Sequence, residues 1–189
     1  MAERSLDERI RRLEDRAAIQ ELGILYGFVM DERDGTASVR SSARTRPCAP
    51  RTGSSRPTGS RRSSRPTSAG SPRSARPTTS ATGVVILDDT DPDRATGLIA
   101  SHAEVSRNGV AMQVALRYKD TYRRVDGRWR FADRLMSYMY YLPFTELSEG
   151  LGDRNSVRAY GDHRPSDWPE VLYAETGNAW LAPYYTSRG

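Results

Sequence analysis

This sequence of 189 residues has almost no cysteine and almost no lysine. Cys48 is the only cysteine, so the chain cannot form an internal disulfide, and Lys119 is the only lysine. Nearly every positive charge is therefore an arginine, as expected of a GC-rich bacterial gene. The sequence shows no signal-peptide pattern and no apolar run near the roughly 20 residues that a membrane-spanning helix needs. These absences predict a cytoplasmic protein.

The segment 35–83 lacks whole classes of side chain. It contains ten arginines but no Asp, Glu or Lys, no aromatic residue, and no Leu, Ile or Met. Because the whole chain has a net charge of +5, the residues outside this segment carry a net charge of −5. Such a composition cannot bury enough apolar surface to offset the entropy lost on folding. We therefore expect a disordered segment that interrupts a mildly acidic protein, which is long enough for one core.

The residues before this segment predict a helix over 5–30. Ser5 followed by Glu8 is a capping-box pattern, which marks the start of a helix. Apolar residues then recur at helical spacing in a stripe that widens along the helix. The stripe consists of Leu6, Ile10, Leu13, Ala17, Ile19, Leu22, Leu25, Phe28 and Val29. We expect this stripe to pack on the core, more deeply at its C-terminal end.

The residues after the segment predict an antiparallel meander. Four strands, at 84–87, 97–105, 110–124 and 128–142, are separated by turn signals that include an Asp-Gly pair. Alternation predicts that one face of the strand 110–124 meets the core, and that Trp129, Phe131 and Leu135 point inward on the last strand. The core-facing residues of the strand 110–124 are Val110, Met112, Val114, Leu116, Tyr118 and Tyr122.

These elements divide the chain in two. A domain over 1–142 is interrupted at 35–83. An extension over 143–189 is mixed polar and aromatic, and its aromatic residues include Trp168, Tyr173, Trp180, Tyr184 and Tyr185. We expect the extension to pack on the domain or on a partner subunit. The order of helix and meander predicts an α+β fold.

Two stretches resemble a known family. LEDRAAIQELGILYGFVMDERD at 13–34 and RYKDTYRRVDGRWRFADR at 117–134 resemble the first helix and the meander of the SnoaL-like branch of the nuclear-transport-factor-two-like superfamily. That superfamily holds polyketide cyclases, ketosteroid isomerases, scytalone and bile-acid dehydratases, a dehydrochlorinase, and non-catalytic subunits. The resemblance implies a cone-shaped α+β barrel, in which a long N-terminal helix packs in a curved antiparallel sheet around an apolar pocket.

The family has two helices and a hairpin where this chain has the arginine-rich segment. A different reading frame of the same DNA converts Ser codons to Phe, Leu, Ile or Val, and Thr codons to Tyr, His, Asn or Asp. One shifted frame fits all 49 residues of 35–83 without forcing a stop, and it permits a Trp-Asp start and an Asn-His-Phe near Thr79. We interpret 35–83 as the product of two compensating frameshifts, natural or from sequencing error.

The resemblance implies catalysis without a cofactor, by an Asp-His dyad assisted by a Tyr or Arg. Asp31 matches the family aspartate and Tyr26 the tyrosine of the dehydratases, while Arg134 resembles a pocket arginine and His102 a second pocket histidine. The partner histidine is expected at the position of Thr79, so the dyad is broken in this chain. We also expect Phe28, Met112 and Tyr118 to line the pocket.

Structural roles remain open for each of these residues. Tyr26 and Tyr118 can be core tyrosines, Asp31 a polar group at the helix end, His102 a rim histidine and Arg134 a solvated strand arginine. His163 lies in a loop and receives no role. The sequence has no pair of His or Cys at metal-ligand spacing and no glycine-rich phosphate loop.

Three functions follow from these observations. The first is a cofactor-independent lyase or isomerase acting on a small apolar or polycyclic substrate, impaired here by the missing histidine. The second is a non-catalytic binding or subunit member of the same fold, with self-association into a homodimer or larger homo-oligomer in either case. The third takes the arginine-rich segment as a genuine insert that binds nucleic acid, although it has no aromatic residue to stack on bases.

Overall fold

The structure is a computed structural model that describes residues 4–32, 44–47, 78–168, 177 and 179–186. Its elements are helix α1 (Leu6–Asp31), strands β1 (Arg44–Pro47), β2 (Thr78–Leu87), β3 (Arg94–Arg107), β4 (Val110–Val125) and β5 (Arg128–Pro143), and short helices α2 (Leu147–Gly150) and α3 (Ala182–Thr186). Single 3₁₀ turns, Phe144–Glu146 and Ala179–Leu181, precede α2 and α3.

The strands form one sheet in the order β1-β5-β4-β3-β2. Strands β2 to β5 pair antiparallel as a meander, and β1 adds to the edge of β5 in parallel. The helix α1 packs across the sheet, mainly against β2 and β5. This arrangement confirms the predicted α+β cone, with a long first helix on the inner face of the meander.

The strands extend further than the sequence predicts. Two parts of the segment expected to be disordered, 44–47 and 78–83, are strands. Their backbones pair with 133–136 and 99–104, and a ladder of backbone hydrogen bonds needs no apolar side chain. The expectation of disorder is therefore wrong at these positions, and its other residues lie outside the described part of the chain.

The predicted inner face of β5 is wrong at its centre. The pairing of β5 with β4 shifts between Thr121 and Tyr122, where Ala132 has no partner. A bulge of one residue reverses which side chains point inward. Arg134 is therefore buried, at 1% exposure, while Leu135 is only half-buried.

The apolar face of α1 also differs from the prediction. The residues that face the sheet are Asp15, Ile19 and Gly23, together with the half-buried Leu22 and Tyr26. Most of the predicted stripe points to solvent, with Leu6 67% and Leu13 62% exposed. The helix has apolar residues on two faces, and periodicity alone does not tell which of them meets the sheet.

The first described part of the C-terminal extension packs on the domain. Val157 bridges Tyr141 of β5, and Trp168 is buried with the Arg117 guanidinium 4.6 Å from its ring centre. Arg117 projects from the sheet face opposite α1, so the extension covers the outer face of the meander. Among the helices that the structure describes, none is long and apolar enough to cross a membrane.

Candidate functional site

A cavity of about 170 Å³ lies between the C-terminal half of α1 and the inner face of the sheet. Helix α1 contributes Gly23, Tyr26, Gly27, Met30 and Asp31 to its wall, and the strands contribute Ala81, Ile99, Ser101, Ala103, Val105, Tyr118 and Arg134. The wall is mostly apolar, so the few polar groups are placed against a background of low polarity. A cavity of roughly 150 Å³ is large enough for one benzene ring.

The strongest charge in the wall is the buried guanidinium of Arg134. Its Nε donates a hydrogen bond to Oδ1 of Asp120 at 2.8 Å, and its Nη2 donates to Oδ2 at 2.7 Å. The Tyr122 hydroxyl also donates to Oδ2 of Asp120, at 2.8 Å. Asp120 is only 2% exposed, so this bidentate pair is a fully buried ion pair with a third hydrogen bond.

Three aromatic rings surround the same guanidinium. Its central carbon lies 4.2 Å from the ring centres of Tyr26 and Tyr118 and 4.0 Å from that of Phe131. Tyr26 also meets both other rings edge-on, at 6.0 and 5.7 Å between ring centres. The cation is attracted to each ring face, and the packing holds it in one orientation.

Burial sets the protonation states of these groups. Burial raises the pKa of Tyr118, and the nearby Tyr26 adds to that effect. Burial also raises the pKa of Tyr122, followed by the charge of Asp120. Burial by itself lowers the pKa of Arg134, but the hydrogen bonds and charge of Asp120 outweigh it and raise that pKa. Both tyrosines are therefore neutral hydrogen-bond donors near pH 7, beside a permanent cation.

Tyr26 and Asp31 both line the cavity although five residues on a helix turn through about 140°. The helix ends at Asp31, and the next backbone N–H, of Glu32, closes the last turn on the Phe28 carbonyl at 2.9 Å. Asp31 is thus the last helical residue and lines the cavity at the C-terminal end of α1. The structure thus brings Tyr26, Asp31 and Arg134 to one cavity.

Ser101 adds a hydroxyl to the wall. It is 2% exposed, and its Oγ has no hydrogen-bond partner among the described residues. A buried hydroxyl without a partner costs free energy, on the order of 1–3 kcal/mol. A ligand in the cavity that accepts or donates one hydrogen bond would remove this cost.

Three of the predicted site residues are not in the cavity. His102 is exposed on the outer face of β3, near the Tyr140 ring, because the buried face of β3 carries the odd-numbered residues 99, 101 and 103. Phe28 is 62% exposed on the far side of α1, and Met112 is buried in the core among Ile99 and Val114 rather than at the cavity wall. The predictions that these residues line the pocket are wrong.

The backbone register locates Thr79 relative to the cavity. Thr79 pairs with Ala103, and the wall residue Ala81 pairs with Ser101. Residues that are directly opposite in an antiparallel ladder share a face of the sheet. Position 79 is therefore in register with the cavity, whereas its neighbour Thr78 pairs with the exposed Glu104.

Sequence reasoning missed Asp120, Tyr122 and Ser101 as parts of the site. The sequence does contain an indication of Asp120, because this carboxylate stands between Tyr118 and Tyr122 in the series of inward-facing residues of β4. A carboxylate at a buried position requires a charged partner. In the described part of the chain, no three His, Cys, Asp or Glu residues cluster in a way that could hold a metal ion.

Comparisons with known proteins agree with this architecture. Residues 51–135 match the family described as the SnoaL-like domain. The structure of LinA superimposes with a TM-score of 0.52 at 16% identity, covering 72% of this chain and 93% of that one. The hexachlorocyclohexane dehydrochlorinase LinA-type3 from Novosphingobium barchaimii LL02 superimposes at 0.53 and 18% identity, covering 72% and 94%.

A scytalone dehydratase candidate from Novosphingobium aromaticivorans DSM 12444 is similar at a TM-score of 0.51 and 13% identity, covering 72% of this chain and 91% of that one. No curated protein matches this sequence. The helix on the curved antiparallel sheet and the cavity between them give this chain an α+β cone fold of the nuclear-transport-factor-two-like type, the fold of these solved structures. Over residues 51–135, somewhat less than half of the chain, the sequence is similar to the SnoaL-like domain.

Proposed function

We propose that this protein is a SnoaL-like lyase or isomerase that needs no cofactor and acts on a small apolar molecule held between α1 and the sheet. The observation that carries the proposal is the buried Arg134, fixed by Asp120 and three aromatic rings, in the same cavity as Asp31. A fixed cation beside a carboxylate, in surroundings of low polarity, suits a reaction in which a proton leaves and negative charge develops.

The roles follow from the positions of the groups. Arg134 and the Tyr26 hydroxyl stabilise negative charge on a departing group or on an oxygen of the substrate. Asp120 uses Nε and Nη2 of Arg134, and in this proposal the remaining Nη1 is the atom that meets the substrate. The cavity volume of about 170 Å³ favours a substrate with one ring over a polycyclic one.

The proposed reaction needs a general base, and the residue at position 79 of this chain does not supply one. The dyad of the family needs a histidine beside Asp31, and we infer that Thr79 occupies its position, which is supported by the backbone pairing of Thr79 with the wall residue Ala103. A threonine hydroxyl cannot take a proton near neutral pH. Translation of the coding DNA for 35–83 in the other frames would test whether the natural gene encodes histidine at this position.

Restoring the histidine tests the proposal directly. We expect Thr79→His to give an imidazole whose pKa is raised by the Asp31 carboxylate and falls when Asp31→Asn is added. Thr78→His is the matched control, because its register partner Glu104 is on the outer face. The measurement is an NMR titration of the imidazole, which needs no knowledge of the substrate.

Activity provides the second measurement. Chlorinated cyclohexanes and hydroxylated ring ketones would be incubated with each variant, with release of chloride or water monitored by product formation. We expect turnover by Thr79→His and none by Thr78→His or by the Thr79→His, Asp31→Asn double variant. An imidazole at 79 that does not respond to Asp31→Asn would contradict the proposed dyad.

A non-catalytic binding protein is the second candidate, favoured by the threonine at position 79. Such a protein would bind one-ring apolar molecules in the same cavity without converting them. Binding of these molecules to the unaltered protein, together with no turnover by Thr79→His, would support this alternative.

A further inference from the structure

The outward face of α1 has the pattern of a coiled-coil strand. Apolar or small residues recur at alternating spacings of four and three, at Leu6, Ile10, Leu13, Ala17, Gln20 and Ile24. Gln20 is the one polar member of this series. Leu6, Ile10, Leu13 and Ile24 are 45–67% exposed. We call these six residues the α1 stripe.

The α1 stripe points away from the sheet. Ile19, at the centre of the buried face, is about 140° around the helix from the middle of the stripe. The stripe covers about 28 Å of helix axis, and α1 is already held in place by the sheet. A partner helix could therefore lie along the stripe without the entropy cost of forming a new helix on binding. The two domains would then lie on opposite sides of the helix pair.

The flanks of the stripe carry opposite charges. On one side, the positions that follow the leucines and Gln20 are Asp7, Glu14 and Glu21, all acidic. On the other side, the positions that precede Ile10 and Ala17 are Arg9 and Arg16. None of these five side chains forms an ion pair with another residue in the described part of the chain.

We propose that the α1 stripe binds the same stripe of a second copy, forming a parallel two-stranded coiled coil. In a parallel pair, each basic flank faces the acidic flank of the other helix, so Arg9 meets Glu14 of the second copy and Arg16 meets its Glu21. In an antiparallel pair, acidic flanks would face each other, as would basic flanks. The charge pattern therefore favours a second copy of this chain as the partner and a parallel orientation of the two helices.

The residue types of the α1 stripe favour a coiled coil of two helices. Ile10 and Ile24 occupy the positions at which β-branched residues favour dimers, and Leu6 and Leu13 occupy the positions at which leucine does so. Gln20 would face Gln20 of the second copy, and a hydrogen bond between the two side-chain amides would oppose a shift in the register of the helices. This interface is separate from the cavity, so it does not depend on the proposed function.

Charge reversal on each flank tests the partner. We expect sedimentation equilibrium to give about twice the 21.1 kDa of one chain for the unaltered protein. The variants R9E/R16E and E14R/E21R should each be monomeric, and a one-to-one mixture of the two should be dimeric. Arg128→Glu and Glu104→Arg, which change the same charges on exposed sheet positions, should leave the dimer unchanged.

Disulfide trapping tests the direction of the helices. In a Cys48→Ser background, Leu6→Cys and Ile24→Cys should each cross-link to their own copy within a parallel pair. Cross-linking only in a mixture of the two variants would show an antiparallel pair and overturn the proposal. The proposal would also be overturned if the unaltered protein were a monomer at all concentrations, as expected if another part of the same chain covers the stripe. A mixture of the two charge variants that stays monomeric would overturn it as well.

Discussion

At the scale of single residues, the centre of this protein is the ion pair between Asp120 and Arg134. Each partner is at most 2% exposed, and the pair is closed by two hydrogen bonds and the Tyr122 hydroxyl. Removing one partner leaves a buried charge without compensation, which typically costs about 3–5 kcal/mol. Removing both partners avoids that cost.

We therefore expect Asp120→Asn to lower the free energy of unfolding by about 3–5 kcal/mol. The double variant Asp120→Leu, Arg134→Met should be more stable than Asp120→Asn. Urea denaturation followed by circular dichroism measures both. Asp91→Asn, which breaks the exposed pair of Asp91 with Arg123, is the control and should change stability little. A double variant less stable than Asp120→Asn would contradict this account.

The buried tyrosines make stability depend on alkaline pH. Burial raises the pKa of Tyr138 to about 12, and it raises that of Tyr118 as well. An unfolded tyrosine ionises near pH 10, so above that pH the unfolded chain releases protons that the folded chain keeps. The stabilisation is thus complete below about pH 10 and is lost as pH rises through the folded pKa values.

We expect the free energy of unfolding to fall between about pH 9 and about pH 12, and Tyr138→Phe to make that fall shallower. Urea midpoints measured across this range test the prediction. Tyr185→Phe, at a position 72% exposed, should leave the slope unchanged. An equal slope in Tyr138→Phe and the unaltered protein would show that Tyr138 ionises in the folded state as it does when unfolded.

At the scale of elements, one aspartate attaches α1 to the far end of the meander. Asp15 accepts hydrogen bonds from Trp129 Nε1 at 3.0 Å and from Arg124 at 2.7 Å. Arg124 also stacks on the Trp129 ring at 4.5 Å and binds Asp93 between β2 and β3. This cluster fixes the N-terminal half of α1, and the ring contacts of Tyr26 fix its C-terminal half at the cavity.

We expect Asp15→Ala to destabilise the fold by roughly 1–3 kcal/mol, because the buried Trp129 N–H loses its acceptor. Asp15→Asn keeps an acceptor for that N–H and should cost less. Tryptophan fluorescence during urea denaturation reports the change, with the exposed Glu104→Ala as control. An Asp15→Ala variant as stable as the control would mean that water replaces the carboxylate at Trp129.

At the scale of the whole molecule, charge is divided unevenly along the chain. The ten arginines of 35–83 lie beside a remainder with a net charge of −5, which repels the same polyanions that the arginines attract. We expect only weak binding of single-stranded DNA, lost when salt rises from about 50 to about 200 mM, since phosphate contacts release counterions. Fluorescence anisotropy measures this, and affinity that survives the higher salt would favour the nucleic-acid reading of the segment.

The sequence by itself determined the first helix, the meander and the resemblance to the SnoaL-like family. A capping box and helical spacing predicted α1, and two-residue alternation with turn signals such as the Asp-Gly pair predicted the meander, because these patterns depend on neighbours close in the chain. The family resemblance placed Tyr26, Asp31 and Arg134 in one pocket, and the cavity indeed contains all three.

Only the tertiary structure decided which faces meet. Both sides of α1 are apolar, so packing against β2 and β5 selected Ile19 and left Leu13 in solvent. A bulge at Ala132 turned Arg134 inward to Asp120, and the pairing of β3 with its neighbours turned His102 outward. These outcomes depend on register between strands, which is set by contacts far apart in the sequence and which no local pattern encodes.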